Sequence, residues 1–181
     1  MVEIPDIWKG GGDEVAKRRA WFVLHVKPRT EKKATLFLRK FGCFWHLPLY
    51  LKITKVQRRK VRRELPLFPG YVFTKLTPND RLEMLRTNLV VSTIYVARPR
   101  EMIHQLRQIA HAARGRPDLT PVKHMFKEGD LVRVKYGPFR GVEGYVKRDG
   151  ARMTLCMNVD ILGTSAEMEI SPGDLEKAEQ P

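Results

Sequence analysis

The chain has 181 residues, 43% of them hydrophobic, and a formal net charge of +14. This length suits one or two small domains with their own cores. No apolar run reaches the roughly 18 residues of a membrane helix, and the start lacks the apolar segment of a signal peptide, so we expect a cytoplasmic protein without a membrane partner. Cys43 and Cys156 lie in different predicted domains, which excludes a disulfide framework and a Cys-x-x-Cys metal site.

The positive charge is concentrated in the first two thirds of the chain. Residues 1–122 hold 25 Lys and Arg against 10 Asp and Glu, a net charge of +15, whereas residues 123–181 hold 9 against 10, a net charge of −1. Clustered positive charge favours polyanions, because neutralised phosphates release their condensed counterions. The two parts of the chain are therefore expected to have different partners.

The amino-terminal part begins with an irregular segment and continues as a strand and a helix. Residues 1–19 contain Gly10–Gly12 and a charged stretch without periodicity, which predicts a flexible tail. Trp21–Lys27 is apolar on both faces except for His25, as in the middle strand of a sheet. The helix is expected to start at a Thr30 cap and to stop at Gly42.

The following segment alternates between strands and helices. The predicted elements are a strand region Phe44–Val56 interrupted by Pro48, a basic hairpin or loop Gln57–Arg63, a strand Tyr71–Leu76, a capped helix from Thr77 to about Thr87, a strand Val90–Ala97 and a helix from Pro99. The order β-α-β-β-α-β with a terminal helix predicts an α+β fold, a ferredoxin-like split β-α-β domain over residues 20–113. Residues 114–124 are expected to form a linker.

Residues 125–178 predict a second, smaller domain. Its most informative segment is Gly129-Asp-Leu-Val-Arg-Val-Lys-Tyr-Gly-Pro-Phe-Arg-Gly-Val-Glu-Gly-Tyr-Val146, in which two alternating strands flank a Gly-Pro turn. Gly141 and Gly144 allow sharp bending or a close approach of backbones. Two further strands, Met153–Val159 and Ala166–Ile170, bring the strands visible in the pattern to four, and we expect the domain to be a five-stranded SH3-like β-barrel. The segment resembles the KOW motif of nucleic-acid and transcription-machinery proteins.

No catalytic or metal-binding pattern is found in the sequence. The five histidines show no i, i+3 or i, i+4 pairing with one another; they are His25, His46, His104, His111 and His124. A phosphate-binding glycine loop and a nucleophile elbow are also missing from the sequence. We therefore predict a binding protein that is not an enzyme and has no cofactor or metal.

Two segments upstream of the KOW motif indicate a family. They are Trp21-Phe-Val-Leu-His-Val-Lys-Pro-Arg-Thr-Glu-Lys-Lys33 and Pro66-Leu-Phe-Pro-Gly-Tyr-Val-Phe73. In their order and spacing, they and the KOW motif resemble the NusG family of transcription elongation and antitermination factors, over roughly Ala20 to Glu176. Pro66–Pro69 and Ile103–Leu106 are similar to specialised, RfaH-like members, whereas Gly70 is the residue expected in housekeeping members.

The resemblance implies that the first domain binds RNA polymerase through an apolar surface of its sheet and last helix. The candidate polymerase-binding residues are His25, Phe68, Tyr71, Val91, Ile94, Ile103 and Leu106. Basic residues are expected to face phosphates of the DNA in the elongation complex. These candidates are Lys27, Arg29, Arg58, Arg59, Arg62 and Arg63.

The resemblance also implies a protein partner for the second domain. Ile161, Leu162 and Gly163 follow its third strand, where the family presents an apolar tip to a ribosomal protein or to the Rho terminator. Leu162 replaces the aromatic residue of the housekeeping pattern. The alternative is a KOW-type ribosomal or RNA-binding protein, which would predict a basic barrel, whereas this one is near neutral. We expect a monomer that recruits its second partner through the barrel.

Overall fold

The computed structural model describes residues 19–56, 59–115, 120–122, 129, 131–136, 139–149 and 152–178. They belong to two compact units, Met1–Leu47 with Phe68–Pro99 and Pro48–Leu67 with Arg100–Pro181. The predicted tail, apart from its last residue, lies outside the described residues. The predicted domain boundaries stay a prediction.

Three helices and twelve strands are found in the described part of the chain. In order they are β1 (Ala20–Val26), α1 (Glu31–Lys40), β2 (Phe44–His46), β3 (Leu49–Val56), β4 (Arg59–Pro66), β5 (Tyr71–Leu76), α2 (Pro78–Arg86), β6 (Val90–Tyr95), α3 (Pro99–Gly115), β7 (Thr120–Val122), β8 (Leu131–Val134), β9 (Glu143–Asp149), β10 (Arg152–Val159), β11 (Thr164–Glu169) and β12 (Leu175–Lys177).

The first unit has the predicted ferredoxin-like connectivity. Its four strands lie in the order β2-β5-β1-β6, and each neighbouring pair is antiparallel. β1 is therefore a middle strand, which explains why it is apolar on both faces: Val23 and Leu24 point to opposite faces and are both buried. This arrangement confirms the predicted α+β class.

The two helices of this unit begin at different kinds of cap. Thr77 and Asp80 form the capping box predicted for α2, with Asp80 N–H donating to Thr77 Oγ1 and Thr77 N–H to the Asp80 carboxylate. Thr30 precedes α1 as predicted, but its hydroxyl donates to the Lys27 carbonyl, 2.7 Å away, instead of accepting from the helix. The burial of Ala34 and Leu38 then anchors α1.

β3 and β4 form a separate two-stranded antiparallel sheet in the second unit. Of the segment Gln57–Arg63, predicted to be a hairpin or loop, Arg59–Arg63 belong to β4, the second strand of a hairpin with β3. This strand pairs with β3 from Leu49↔Pro66 to Val56↔Arg59. The strand could not be recognised from the sequence, because its basic residues lack the alternation of apolar and polar positions that marks a half-buried strand.

The carboxyl-terminal β domain is one antiparallel sheet with the strand order β12-β8-β9-β10-β11-β7. Five of its strands, β8 to β12, lie within the predicted domain, and β7 lies in the segment predicted to be a linker. Gly144 shows why the KOW motif needs glycine: a Cβ at this position would lie 2.5 Å from the carbonyl oxygen of Cys156 in β10. The KOW segment is thus bound closely to its neighbouring strand.

Candidate functional site

The segment Phe68–Tyr71 forms a tight turn that leads directly into β5. Tyr71 N–H donates to the Phe68 carbonyl at 3.1 Å, and Gly70 has φ +85°. A proline at the second position and a glycine with positive φ at the third are the features of a type II β-turn. The Leu-Phe-Pro-Gly-Tyr motif therefore encodes a specific backbone shape in addition to its aromatic side chains.

Gly70 is held on both sides by the elements that pack around this turn. Its carbonyl accepts from Val26 N–H at the end of β1, 2.8 Å away. Its own N–H donates to Glu31 Oε1, also at 2.8 Å. Glu31 is the first residue of α1, and it is only 5% exposed. The turn is thus bound to β1 and α1.

His25 and Tyr71 form a stacked pair next to this turn. They are cross-strand partners in β1 and β5, with ring centroids 5.2 Å apart and ring planes inclined by 25°. Ser92 pairs with His25 from the other side, and Ile94, two residues on, shares its face of the sheet. We call the face that carries His25, Tyr71, Ser92 and Ile94 the Tyr71 face. Ser92 is exposed and the other three are half-buried, whereas Val23 and Phe73, further along the same face, are buried.

The opposite face of the sheet is covered in part by α2. There Phe22 pairs with Tyr95, and the guanidinium of Arg81 in α2 lies 5.8 Å from the Phe22 ring centroid. Arg81 also donates to Thr93 Oγ1 at 2.8 Å. Tyr95 nevertheless stays 62% exposed at the edge of the sheet. It provides a tyrosine of the same sheet that does not belong to the Tyr71 face.

The structure brings only some of the seven candidate polymerase-binding residues together. His25, Tyr71 and Ile94 lie on the Tyr71 face, whereas Phe68 is buried and packs edge-on against Phe73, 6.3 Å between centroids. Val91 is 58% exposed and has no cross-strand partner, because the β1–β6 register shifts beside it. On α3, in the second unit, Ile103 is half-buried and Leu106 fully buried.

The basic candidates occupy two places in the fold. Lys27 and Arg29 follow β1 and are exposed; Lys27 Nζ donates to Asn88 Oδ1 at 3.0 Å. Arg59, Arg62 and Arg63 are exposed on β4. Because side chains alternate along a strand, Arg59 and Arg63 share one face of the hairpin and Arg62 lies on the other. Arg58 lies outside the described residues.

The KOW tip, Asp160–Gly163, is a short 3-10 turn after β10. Ile161 and Leu162 are half-buried, and Gly163 is exposed with φ +61°. Two hydrogen bonds join Asp160 to Gln105 of α3: Gln105 Nε2 donates to the Asp160 carboxylate at 2.6 Å, and Asp160 N–H donates to Gln105 Oε1 at 3.1 Å. Gln108 Oε1 accepts from Glu143 N–H in β9 at 2.5 Å.

Glu31, Gln105 and Gln108 are functional candidates that the sequence did not indicate. Each bonds to a group at least 35 residues away along the chain. A glutamate in the first turn of a helix interacts favourably with the helix dipole even when it is solvated, so its presence there does not indicate burial. The burial of Glu31 is therefore visible only in the folded chain.

The chemistry of the described residues offers no catalytic centre. Among them there is no group of three or more His, Cys, Asp and Glu that could hold a metal ion. Burial, followed by the nearby Asp80 carboxylate, raises the pKa of Cys43 to about 11, and burial followed by Glu167 raises that of Cys156 to about 12. Both thiols are thus protonated at neutral pH and unsuited to act as nucleophiles.

Comparison with known proteins decides the family. A family model described as "Transcription termination factor nusG" matches residues 19–122. The chain belongs to the NusG family. The "Transcription termination/antitermination protein NusG" of Borreliella burgdorferi is 26% identical, with 88% of this chain and 98% of the relative covered. The protein of the same name from Escherichia coli K12 is 25% identical, with 90% and 98% covered.

Two further matches differ in extent. NusG of Vibrio cholerae is 29% identical, with 67% of this chain and 69% of the relative covered. A solved structure described as "Domain interaction in Thermotoga maritima NusG" is 24% identical, covers 91% of this chain and 99% of its own, and gives a TM-score of 0.48.

Membership confirms the family, the class of function and the absence of enzymatic activity predicted from the sequence. The protein is a NusG-family transcription termination/antitermination factor, and this family implies an interaction with RNA polymerase. In the described part of the chain, none of the helices is long and apolar enough to cross a membrane. Similarity to RfaH-like members stays a prediction.

Proposed function

We propose that this NusG-family protein binds RNA polymerase through the Tyr71 face. The observation that supports this most directly is the stacked His25–Tyr71 pair, which is partly exposed and lies beside a turn bound to both β1 and α1. Aromatic side chains held in place before binding lose little conformational entropy, and they are frequent among residues that dominate interface energies. Phe68 is expected to support this face from the core, since its ring packs on Phe73.

The other candidates have different roles in this proposal. Ile94 extends the apolar contact along β6, and the exposed Val91 can add to it at the sheet edge. Ile103 is accessible enough to contact a partner, whereas Leu106 is 1% exposed and would have to be uncovered first. The Tyr71 face is therefore the best place to test polymerase binding.

Two tyrosines of the same sheet make a matched pair of variants. We expect Tyr71→Ala to weaken binding of the full chain to core RNA polymerase by about 2 kcal/mol, roughly 30-fold, the loss typical of an interface hot spot. Tyr95→Ala, on the opposite face, is expected to keep the wild-type affinity. Equal affinity of the two folded variants would reject the Tyr71 face as the polymerase site.

We also propose that the β3–β4 hairpin lies next to the DNA of the elongation complex. Lys52 and Arg63 are direct cross-strand partners, and Ile53 opposite Arg62 is an exposed apolar residue. Like charges directly opposite each other destabilise an antiparallel pair. A phosphate backbone beside the hairpin would remove this repulsion, and Lys27 and Arg29 are the further candidates for such contacts.

Charge reversal tests the hairpin. We expect Arg62→Glu with Arg63→Glu to reduce DNA-dependent retention on a polymerase–DNA scaffold and to make retention less dependent on salt, because each lost phosphate contact lowers the number of released counterions. Lys147→Glu with Arg148→Glu, two exposed residues of β9, is the control. A wild-type salt dependence for the hairpin variant would show that its arginines are simply solvated.

We propose a ribosomal protein as the partner of the KOW tip, with Rho as the competing candidate. The tip offers the apolar side chains of Ile161 and Leu162, and the segment 123–181 has a net charge of −1, which gives little attraction to phosphates. In this proposal the protein acts as a monomer in the cytoplasm, where polymerase and ribosome meet. Leu162→Asp should abolish capture of ribosomes; tight, salt-sensitive RNA binding that survives Leu162→Asp would favour the RNA-binding alternative.

A further inference from the structure

The central peptide of the Phe68–Tyr71 turn needs a hydrogen-bond acceptor from outside the turn. In a type II turn the peptide between the second and third residues faces the opposite way from that of a type I turn, and its N–H takes no part in the turn's own hydrogen bond. Here this N–H belongs to Gly70, which is buried. A buried N–H must find an acceptor, because leaving it unpaired costs about 1–3 kcal/mol.

Glu31 supplies that acceptor from another element of the first unit. Its Oε1 lies 2.8 Å from Gly70 N, and the side chain is almost completely buried. Burying a carboxylate is unfavourable unless it is hydrogen-bonded. If Glu31 interacted only with the helix dipole, a glutamate on the exposed side of the first turn, where Lys32 and Lys33 lie, would stabilise the helix equally well.

The two peptide groups on either side of the Gly70 Cα decide where Tyr71 begins. The N–H of the first peptide donates to Glu31, and the Gly70 carbonyl of the second accepts from Val26, so that β5 starts in register with β1 and Tyr71 meets the His25 ring. The His25 ring also packs beside Gly70: a Cβ at this position would lie in ordinary contact with His25 Cδ2, 3.5 Å away. The turn, the ring pair and Glu31 thus form one packed arrangement.

We propose that Glu31 is a positioning residue for polymerase binding: its hydrogen bond to Gly70 ties the type II turn to α1 and thereby holds Tyr71 in stacking contact with His25. Glu31 itself does not touch the polymerase. This inference rests on the proposed role of the Tyr71 face. Without this acceptor, the buried Gly70 N–H stays unpaired unless the turn moves away from α1, and such a movement takes Tyr71 out of its fixed position.

The test compares three Glu31 variants of the full chain for affinity to core RNA polymerase. Glu31→Ala should weaken binding by roughly tenfold or more, the factor that corresponds to a hydrogen bond to a charged group. Glu31→Gln keeps an oxygen acceptor in the same place and should restore most of the affinity. Glu31→Asp keeps the charge but withdraws it by one methylene, and should bind weakly. The Gly70 amide resonance should move in the Ala and Asp variants and stay near its wild-type position in the Gln variant.

Thr35→Val is the matched control, since Thr35 is another buried polar residue of α1 whose hydroxyl donates to the Lys32 carbonyl at 2.8 Å. It should lower the unfolding temperature without changing polymerase affinity. If Glu31→Ala does not fold, the comparison of Glu31→Asp with Glu31→Gln takes its place. Equal affinity of these two variants would overturn the inference.

Tyr71→Ala, measured in parallel, separates this inference from the proposed function. If Tyr71→Ala weakens binding and Glu31→Ala does not, Glu31 has no positioning role, although the Tyr71 face still binds polymerase. If neither variant weakens binding, both the inference and the proposed face are wrong. Weak binding by Glu31→Ala and Glu31→Asp, with recovery in Glu31→Gln, supports the inference.

Discussion

His46 makes the first unit sensitive to acid. Its side chain is buried in β2, opposite Phe73 of β5, and burial lowers its pKa from 6.5 to about 4. Protonation therefore favours the unfolded chain, so the stability that depends on neutral His46 is complete above about pH 6.5 and is lost as the pH falls towards 4. The difference between the two pKa values corresponds to at most about 3 kcal/mol, of which about 2 kcal/mol is lost by pH 5.

The sensitivity can be measured by urea unfolding at several pH values, with tryptophan fluorescence as the signal. All three tryptophans precede residue 48, so the signal follows the first unit. We expect the free energy of unfolding of the wild type to fall between pH 7 and pH 5 by about 2 kcal/mol more than that of His46→Leu, which cannot be protonated at this position. Parallel pH dependences of the two proteins would refute the assignment of the acid-sensitive group to His46.

Three further perturbations test separate parts of the structure. Gly144→Ala should destabilise the carboxyl-terminal β domain by about 1–3 kcal/mol in urea unfolding followed by circular dichroism, because its Cβ would meet the Cys156 carbonyl. Gly173→Ala, which has open space around it, should leave the stability unchanged, and equal effects of the two substitutions would contradict the steric explanation. Thr77→Ala should cost about 1 kcal/mol in thermal unfolding through loss of the capping box, whereas Thr77→Ser should stay near the wild type. If α3 competes with the ribosome for Asp160, Gln105→Ala should raise the affinity of the KOW tip for ribosomes by roughly 3- to 10-fold. His111→Ala, on the exposed side of α3, should leave this affinity unchanged, and a wild-type affinity of the Gln105→Ala variant would exclude the competition.

The sequence was sufficient to predict those elements that are determined by residues close together in the chain. β1 was placed in the middle of its sheet because Val23 and Leu24 leave no polar face, and α2 was placed at Thr77 because a hydroxyl, a proline and an acid follow one another at capping positions. The glycine pattern of the second domain was interpreted correctly at Gly144, where the backbones of β9 and β10 approach closely. In each case the signal and its structural consequence lie within a few residues.

Features that depend on a distant partner could not be predicted in this way. The Gly70 N–H that explains the buried Glu31 lies 39 residues further along the chain, and Asp160 lies 55 residues from Gln105. β4 is a strand because it pairs with β3, and its run of arginines gave no alternating pattern. Phe68 was chosen as a contact residue for its aromatic ring, but the structure uses this ring in the core, against Phe73.

The central claim is that RNA polymerase lies against the Tyr71 face. The most direct measurement is photo-crosslinking of the full chain to core polymerase with a benzophenone side chain at one of two exposed sheet positions. Ser92 lies on the Tyr71 face beside His25, and Tyr95 lies on the opposite face beside Phe22. We predict a crosslink to polymerase from position 92 and none from position 95. A crosslink from position 95 alone would contradict the proposal.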